Sequence, residues 1–375
     1  MSLNYTGLRR FKKKAEAKRC AGRLLSIRKR LAPLRQRKSD STLLLATWNI
    51  RDFDSNKFKW GPRLPETFYY LAEMISHFDL VAIQEVNRDL TPLRKLMDIL
   101  GREWDYIVTD TTEGFGGNAE RMAFVYNTEK VWFRKIAGEV VLPDGQLVVT
   151  EKTKKTEDGV IESKSVKNQF ARTPFLVAFQ SGWFKFSLCT VHIYFGSESG
   201  AKLKRRVDEI KRLVKFFADR QDKENRQTRD GLGNVENYIL LGDFNVVSPE
   251  HKTMQALKSN DFVVPKEIDG DEVRKEGEHY YDQIATRVRD KRFKVVAGGM
   301  IDMFEDVFRD DAADRKLYSS HVPKKDTEKN PEYAAKDAEA RYRKWRTWQM
   351  SDHAPLWIEI ETDFSEHYLQ EIAGE

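Results

Sequence analysis

The sequence predicts an α+β architecture in which β-sheets stack and helices cover the outside, and three observations carry that prediction. Short apolar runs of strand composition recur from Thr42 onward. Two of them flank a Ser-Gly pair, the signature of an antiparallel hairpin. Others are separated by amphipathic stretches long enough to form helical crossovers.

In chain order, the first 38 residues carry fourteen Lys and Arg against the single acid Glu16. The overall charge of +6 therefore divides into about +13 for this arm and about −7 for the remaining 337 residues. Leu24, Ile27, Leu31 and Leu34 recur at helical spacing, so part of the arm is expected to be an amphipathic helix docked on protein or on an anionic surface. The arm, residues 1–41, precedes a body expected over 42–362 and a short tail, 363–375. Leu43 to Ile50, Asp79 to Gln84, Trp104 to Thr109, Arg121 to Tyr126 and Tyr238 to Leu241 read as strands. Phe175 to Phe195 reads as the hairpin, turning at Ser181 and Gly182. Pro65 to Phe78, Thr91 to Leu100 and Ala201 to Arg220 read as helices, the last with Leu203, Val207, Ile210, Val214 and Phe217 along one face. Residues 142–168 and 309–347 look inserted. The second insertion ends in RYRKWRTWQ, whose alternating basic and aromatic residues fit either a nucleic-acid grip or a surface helix with its Trp residues packed inward.

Composition narrows the class further. No run approaches the roughly 20 apolar residues that span a bilayer, and no secretory h-region opens the chain. Cys20 and Cys189 are the only cysteines, which suits a reducing, cytoplasmic setting and no disulfide framework.

The chemistry-bearing residues gather at strand ends. YILLGDFNVV interrupts an apolar run with Asp243 and Asn245, which extended backbone would turn to one side, where they would suit a cation or a phosphate. An Asx turn is the alternative reading of the same pair. Similar runs deliver Asn49, Gln84 with Glu85, His192, and Asp352 with His353. Several carboxylates, amides and histidines at strand termini point to one site assembled at a sheet edge.

Thr47-Trp48-Asn49-Ile50, Gln84-Glu85-Val86, Gly242-Asp243-Phe244-Asn245, Tyr281-Asp282-Gln283-Ile284 and Ser351-Asp352-His353-Ala354-Pro355 occur in the order found in the endonuclease/exonuclease/phosphatase superfamily. The chain resembles its deoxyribonuclease I-like branch over about residues 42–362. Asn118-Ala119-Glu120-Arg121 and Ala171-Arg172-Thr173-Pro174 add to the resemblance. It implies a four-layer αββα sandwich, two stacked, mainly antiparallel sheets with helices outside, and divalent-metal-dependent cleavage of phosphate esters. Hard oxygen ligands select Mg²⁺, with Mn²⁺ as a substitute. By resemblance, Glu85 with Asn49 and Asp352 would hold the metal, while Asp243 and Asn245 would orient water and a phosphate oxygen. His192 paired with Glu120, and His353 paired with Asp282, would flank the phosphate, and Arg172 would contact or brace it. Which histidine is acid and which base stays open.

Rival motifs fail on context. Gly114 to Ala119 fits a loose dinucleotide fingerprint but precedes a strand where a helix is needed. No Walker loop, Gly-x-Ser-x-Gly elbow or His-Glu-x-x-His pair is present. For substrate, the resemblance leans to DNA, cut as an endonuclease or exonuclease. The Arg after the Gly-Asp-x-Asn core and the Asp-Arg-Ile form usual in inositol phosphatases are both missing, and Gln283 departs from the usual Arg. An inositol-phosphate or phospholipid hydrolase brought to an anionic membrane by the arm is the second reading. A noncatalytic nucleic-acid or protein-binding module is the third.

Overall fold

The computed structural model describes residues 3–111, 119–155, 161–227, 236–274, 279–323 and 338–374. Helices α1 (Lys14–Arg30) and α2 (Ala32–Gln36) lead into β1 (Thr42–Phe53), α3 (Pro65–Ile75), β2 (Leu80–Val86), α4 (Thr91–Leu100), β3 (Trp104–Val108), β4 (Arg121–Asn127) and β5 (Trp132–Glu139). Then come β6 (Val148–Lys155), β7 (Ile161–Asn168), β8 (Phe175–Ser181), β9 (Phe184–His192), α5 (Gly200–Gln227), β10 (Tyr238–Asp243), α6 (Lys252–Leu257) and α7 (Lys266–Asp269). The chain closes with β11 (Asp282–Arg287), β12 (Val295–Met300), α8 (Ala312–Tyr318), α9 (Ala338–Gln349), β13 (Leu356–Glu361) and α10 (Ser365–Ala373).

Six strands form one sheet in the order β12-β13-β1-β2-β4-β3, and five form a second in the order β11-β10-β9-β8-β5. Only β1 with β2 and β9 with β10 run parallel among the pairs of these sheets; the rest are antiparallel. Period-two alternation along β1 sorts its side chains between two cores. Leu43 and Leu45 join the core between the sheets, whereas Leu44, Ala46, Trp48 and Ile50 pack under α1, α3, α4 and α9. Ile210, Leu213, Val214 and Phe217 of α5 cover the far face of the second sheet. The result is the expected helix-sheet-sheet-helix stack.

The arm is part of that stack. Cys20, Leu24, Ile27, Leu31 and Leu34 are buried in the outer core. Its arginines turn inward onto acids of the body: Arg19 to Glu66, Arg23 to Asp314, Arg28 to Glu73, Arg30 to Asp306 and Arg37 to Glu359. With Lys38 beside Asp79, these pairs match six of the arm's fourteen cations to acids of the body, while Arg9, Arg10, Lys12, Lys13, Lys14, Lys18, Lys29 and Arg35 stay exposed.

Residues 142–168 supply the separate β6/β7 hairpin, whose Val149 N–H donates to Asp208 of α5 at 2.7 Å. In α9, which carries the RYRKWRTWQ run, Tyr342, Trp345 and Trp348 are buried, so the packed-helix reading holds and these rings are not available to stack on bases. No described helix is long and apolar enough to cross a membrane.

Candidate active site

Strand register brings three of the expected residues to one rung. Asp243 at the end of β10 lies opposite His192 of β9 on one side and Asp282 of β11 on the other. The first sheet supplies the facing groups: Asn49 follows Leu43, Leu45 and Thr47 on the inter-sheet face of β1, in register with Gln84 of β2. A register shift between Ile83 and Val86 then places Glu85 at a bulge with φ +60°, and such bulges re-aim a side chain.

The side chains converge. Asn49 Nδ2 donates to Glu85 Oε1 at 3.2 Å and to Asp243 Oδ2 at 3.1 Å. Asp243 Oδ2 also lies 3.5 Å from His192 Nε2 and 3.9 Å from His353 Nε2, so it stands between the two imidazoles. His192 Nδ1 is 3.0 Å from Glu120 Oε2, and Arg172 Nε donates to that same oxygen at 2.8 Å. His353 Nδ1 is 2.6 Å from Asp282 Oδ2. Each histidine therefore has a carboxylate behind it, the arrangement that fixes tautomer and ring orientation.

Burial alone would raise the Glu120 pKa, but His192, Arg172 and Lys57 outweigh it and hold the carboxyl far below its ordinary range. Burial alone would likewise lower the His353 pKa. Asp282, with Asp243 and Asp352, reverses that and keeps the imidazole well above its usual value.

Two residues stand differently from the sequence reading. The β10 strand stops at Asp243, and Asn245 takes a left-handed φ of +51°, so period-two alternation does not reach it. Its N–H donates to Asp243 Oδ1 at 2.9 Å, closing an Asx turn, while its side-chain amide donates to Ile193 O at 2.8 Å. One Asp243 oxygen thus closes the turn, and the other lies between the two imidazoles. Asp352 sits at the rim, its side chain 47% exposed and 3.6 Å from Arg51 Nε. Gln283 is fully buried, and its side-chain amide donates to Tyr280 O at 2.8 Å. Asn118 and the Gly114 to Asn118 loop lie outside the described residues.

The donor set fits a hard cation. Glu85, Glu120 and His192 each present a ligand atom within 4.8 Å of one another. Asn49 Oδ1 is buried without a hydrogen-bond partner among the described residues, an acceptor beside two carboxylates that a metal would satisfy. Glu120 is engaged by Arg172 and lies 3.0 Å from His192, which leaves the oxygens of Glu85 and Asn49 less engaged by cationic partners.

Several residues hold these groups in place, among them Gln84 and Ser351 of the motifs above, which had no role assigned, and Arg206, Glu209 and Lys57, which the sequence did not single out. Gln84 donates to Thr190 Oγ1 at 2.8 Å, tying the two sheets together beneath the site. Buried Ser351 donates to Asn49 O at 2.5 Å and accepts from the N–H groups of Arg51 and His353. Arg206, fully buried on α5, donates to Asn245 O at 2.9 Å. Glu209, one turn on, accepts from Ala171 N–H at 3.0 Å, and burial pushes its pKa up to about 7. Their signal was a pair of charges near the apolar face of a helix. Lys57 Nζ lies 3.7 Å from Glu120 Oε1 and 3.8 Å from Asp52 Oδ1. Beside His353, an aromatic rim runs from exposed Phe195 to Tyr281 at 6.0 Å and from Tyr281 to a stacked His279 at 4.4 Å.

Solved structures share this architecture. The human Nocturnin catalytic domain with bound sulfate matches 88% of this chain and 99% of its own at a TM-score of 0.50 and 11% identity. An endonuclease/exonuclease/phosphatase family protein from Bacteroides thetaiotaomicron matches 87% of this chain and 97% of its own (TM-score 0.49, 18% identity). A mannosyl-6-phosphatase from the same organism matches 85% and 99% (TM-score 0.47, 17% identity). No family model and no curated relative matches the sequence. The fold, two stacked sheets with helices outside, is shared with the human Nocturnin catalytic domain.

Proposed function

We propose that the protein is a divalent-metal-dependent phosphodiesterase that hydrolyses nucleic acid, DNA foremost, by in-line attack of water. The observation that carries this reading is the position of Asp243 Oδ2, 3.5 Å and 3.9 Å from the inward nitrogens of two carboxylate-backed histidines. Phosphodiester hydrolysis needs an oriented water on one side of phosphorus and a proton donor to the leaving oxygen on the other. Two imidazoles across a central carboxylate can supply both.

Glu85 and Asn49 would hold the metal, which when bound neutralises phosphate charge and polarises its oxygen. Asp243 orients the attacking water and accepts its proton through the oxygen left free by the Asx turn. Asn245 and Arg206 keep that turn in place. Glu120 and Asp282 hold the two imidazoles with Nε2 toward the substrate. Arg172 braces Glu120 and, with Lys57, adds positive charge where phosphate oxygens would sit. Asp352 at the rim would assist the His353 side.

Nucleic acid is favoured by the rim of Phe195, Tyr281 and His279 beside His353, since aromatic faces stack on bases. The test is a substrate panel of duplex DNA, single-stranded DNA, RNA and phosphoinositides, each with Mg²⁺ and with chelator. Metal-dependent strand cleavage is expected. Intact nucleic acid together with phosphate release from phosphoinositides would overturn the substrate assignment, and unchanged hydrolysis in His192→Ala or Asp243→Ala would overturn the catalytic one.

A further inference from the structure

Where the N-terminal helices meet the body, a cavity of about 150 Å³ opens between α1, α2, α3 and β3. That is about half the smallest pockets, near 300 Å³, that enclose drug-sized molecules. Its walls include Arg28 of α1, Arg35 of α2, Lys38 of the link to β1, Glu73 and His77 at the end of α3, and Trp104 of β3. No residue of the catalytic cluster lines it.

The wall is electrically unbalanced. Three cations face one carboxylate, and Glu73 is already engaged by Arg28 Nε at 2.9 Å and by the Tyr5 hydroxyl. Lys38 Nζ donates to Phe78 O at 2.5 Å and lies 3.2 Å from Asp79, so its charge is partly met from outside the cavity. The Arg35 guanidinium has no hydrogen bond or ion pair among the described residues. His77 is only 2% exposed; its Nδ1 is 2.8 Å from Glu73 O, and its Nε2 has no partner among the described residues. Burial lowers the His77 pKa, the Glu73 carbonyl and carboxylate oppose that, and Lys38 and Arg35 push the same way as burial. With Nδ1–H turned to the Glu73 carbonyl, Nε2 of the neutral ring is an unfilled acceptor; on taking up a proton it becomes a donor, and an anion held beside it by the unpaired Arg35 guanidinium would be its partner.

We propose that this cavity binds a phosphate-type oxyanion and that the bound anion fastens the N-terminal helices to α3. A tetrahedral oxyanion has acceptor oxygens for several donors at once, and guanidinium groups match it in charge and geometry. Such a ligand would touch α1, α2 and α3 together, joining segments that are held elsewhere by pairwise ion pairs. The proposal is independent of the catalytic reading, because the two sites share no residue.

The test uses the full chain in chelator and follows the His77 imidazole by long-range ¹H–¹⁵N NMR, its signal assigned with His77→Gln. Inorganic phosphate is titrated at constant ionic strength against chloride, with glycerol 3-phosphate as a second probe. Saturable binding that raises the His77 pKa by about half a unit or more is expected, since a nearby anion favours the imidazolium. In Arg35→Ala and Arg35→Glu, exposed positions that leave the core intact, half-saturation should move up by about tenfold or more. A response to glycerol 3-phosphate would mean that the cavity takes the phosphate group of a larger molecule; a response to inorganic phosphate alone would mean a free ion. No shift, an equal shift with chloride, or an unchanged response in both Arg35 variants would overturn the proposal.

Discussion

His353 Nδ1 and Asp282 Oδ2 lie 2.6 Å apart, although the residues are separated by 71 positions in the chain. The carboxylate is buried at the start of β11, and its partner enters from the loop before β13. Asp282→Asn keeps the shape but removes the charge that fixes the imidazole. We expect kcat to fall by about 10² to 10⁴ with KM little changed, the range typical of a mispositioned acid-base group. Steady-state kinetics on the best nucleic-acid substrate check this, and a loss confined to KM would assign Asp282 to binding instead.

Glu85 accepts from Asn49 and from Asp52 N–H, which aims its carboxylate at the inter-sheet space. Glu85→Gln should weaken Mn²⁺ binding, read by electron paramagnetic resonance of the free ion, by about 10- to 100-fold or more. Equal binding in wild type and variant would move the metal elsewhere.

Phe195 is exposed 6.0 Å from Tyr281, and both adjoin the catalytic groups without joining them. If bases stack there, Phe195→Ala or Tyr281→Ala should cost about 1–3 kcal/mol of nucleic-acid affinity per base lost. Fluorescence anisotropy with single-stranded oligonucleotides in chelator measures it. Affinity unmoved in both variants would exclude the rim from substrate contact.

Glu209 has a folded-state pKa of about 7 because it is wholly buried, against an ordinary 4.5. A raised acid binds more protons folded than unfolded, so its contribution to stability is full below the unfolded value and is lost as pH rises to about 7. The loss has an upper size of about 3 kcal/mol at 1.36 kcal/mol per unit. Urea midpoints at pH 5 and pH 8 should therefore differ more in wild type than in Glu209→Gln. Identical pH dependence in the two proteins would show that the carboxyl is not titrating in this window.

Ile27 of α1 is fully buried in the outer core. Ile27→Ala should cost about 2–5 kcal/mol in urea unfolding, as for other large-to-small core changes. A negligible cost would mean that the N-terminal helix is not docked in solution. For the same reason, removal of residues 1–38 would uncover apolar surface on α3, so it tests the body's stability before it tests any membrane association.

Much of the architecture was legible because local pattern and tertiary environment agree. The Leu43 to Ile50 run, the turn at Ser181 and Gly182, and the apolar stripe of Ala201 to Arg220 all became the elements their periodicities specify. Strands β5 and β12 were not legible: β5 is an exposed edge strand and β12 carries Gly298 and Gly299, so neither shows the apolar alternation of a half-buried strand. The last helix, α10, was read only as a tail; it has no buried residue to impose a strong core pattern.

The sequence by itself determined which residue types were available at strand ends, and in what order, because polar groups interrupting apolar runs are visible without coordinates. Only the tertiary structure decided how they meet. Strand register set Asp282, Asp243 and His192 on one rung. A left-handed backbone at Asn245 gave its N–H to the Asx turn and its side-chain amide to Ile193 O, and ion pairs with the body met part of the arm's charge. Register, backbone handedness and ion pairing each depend on segments distant in the chain, and local periodicity carries no information about them.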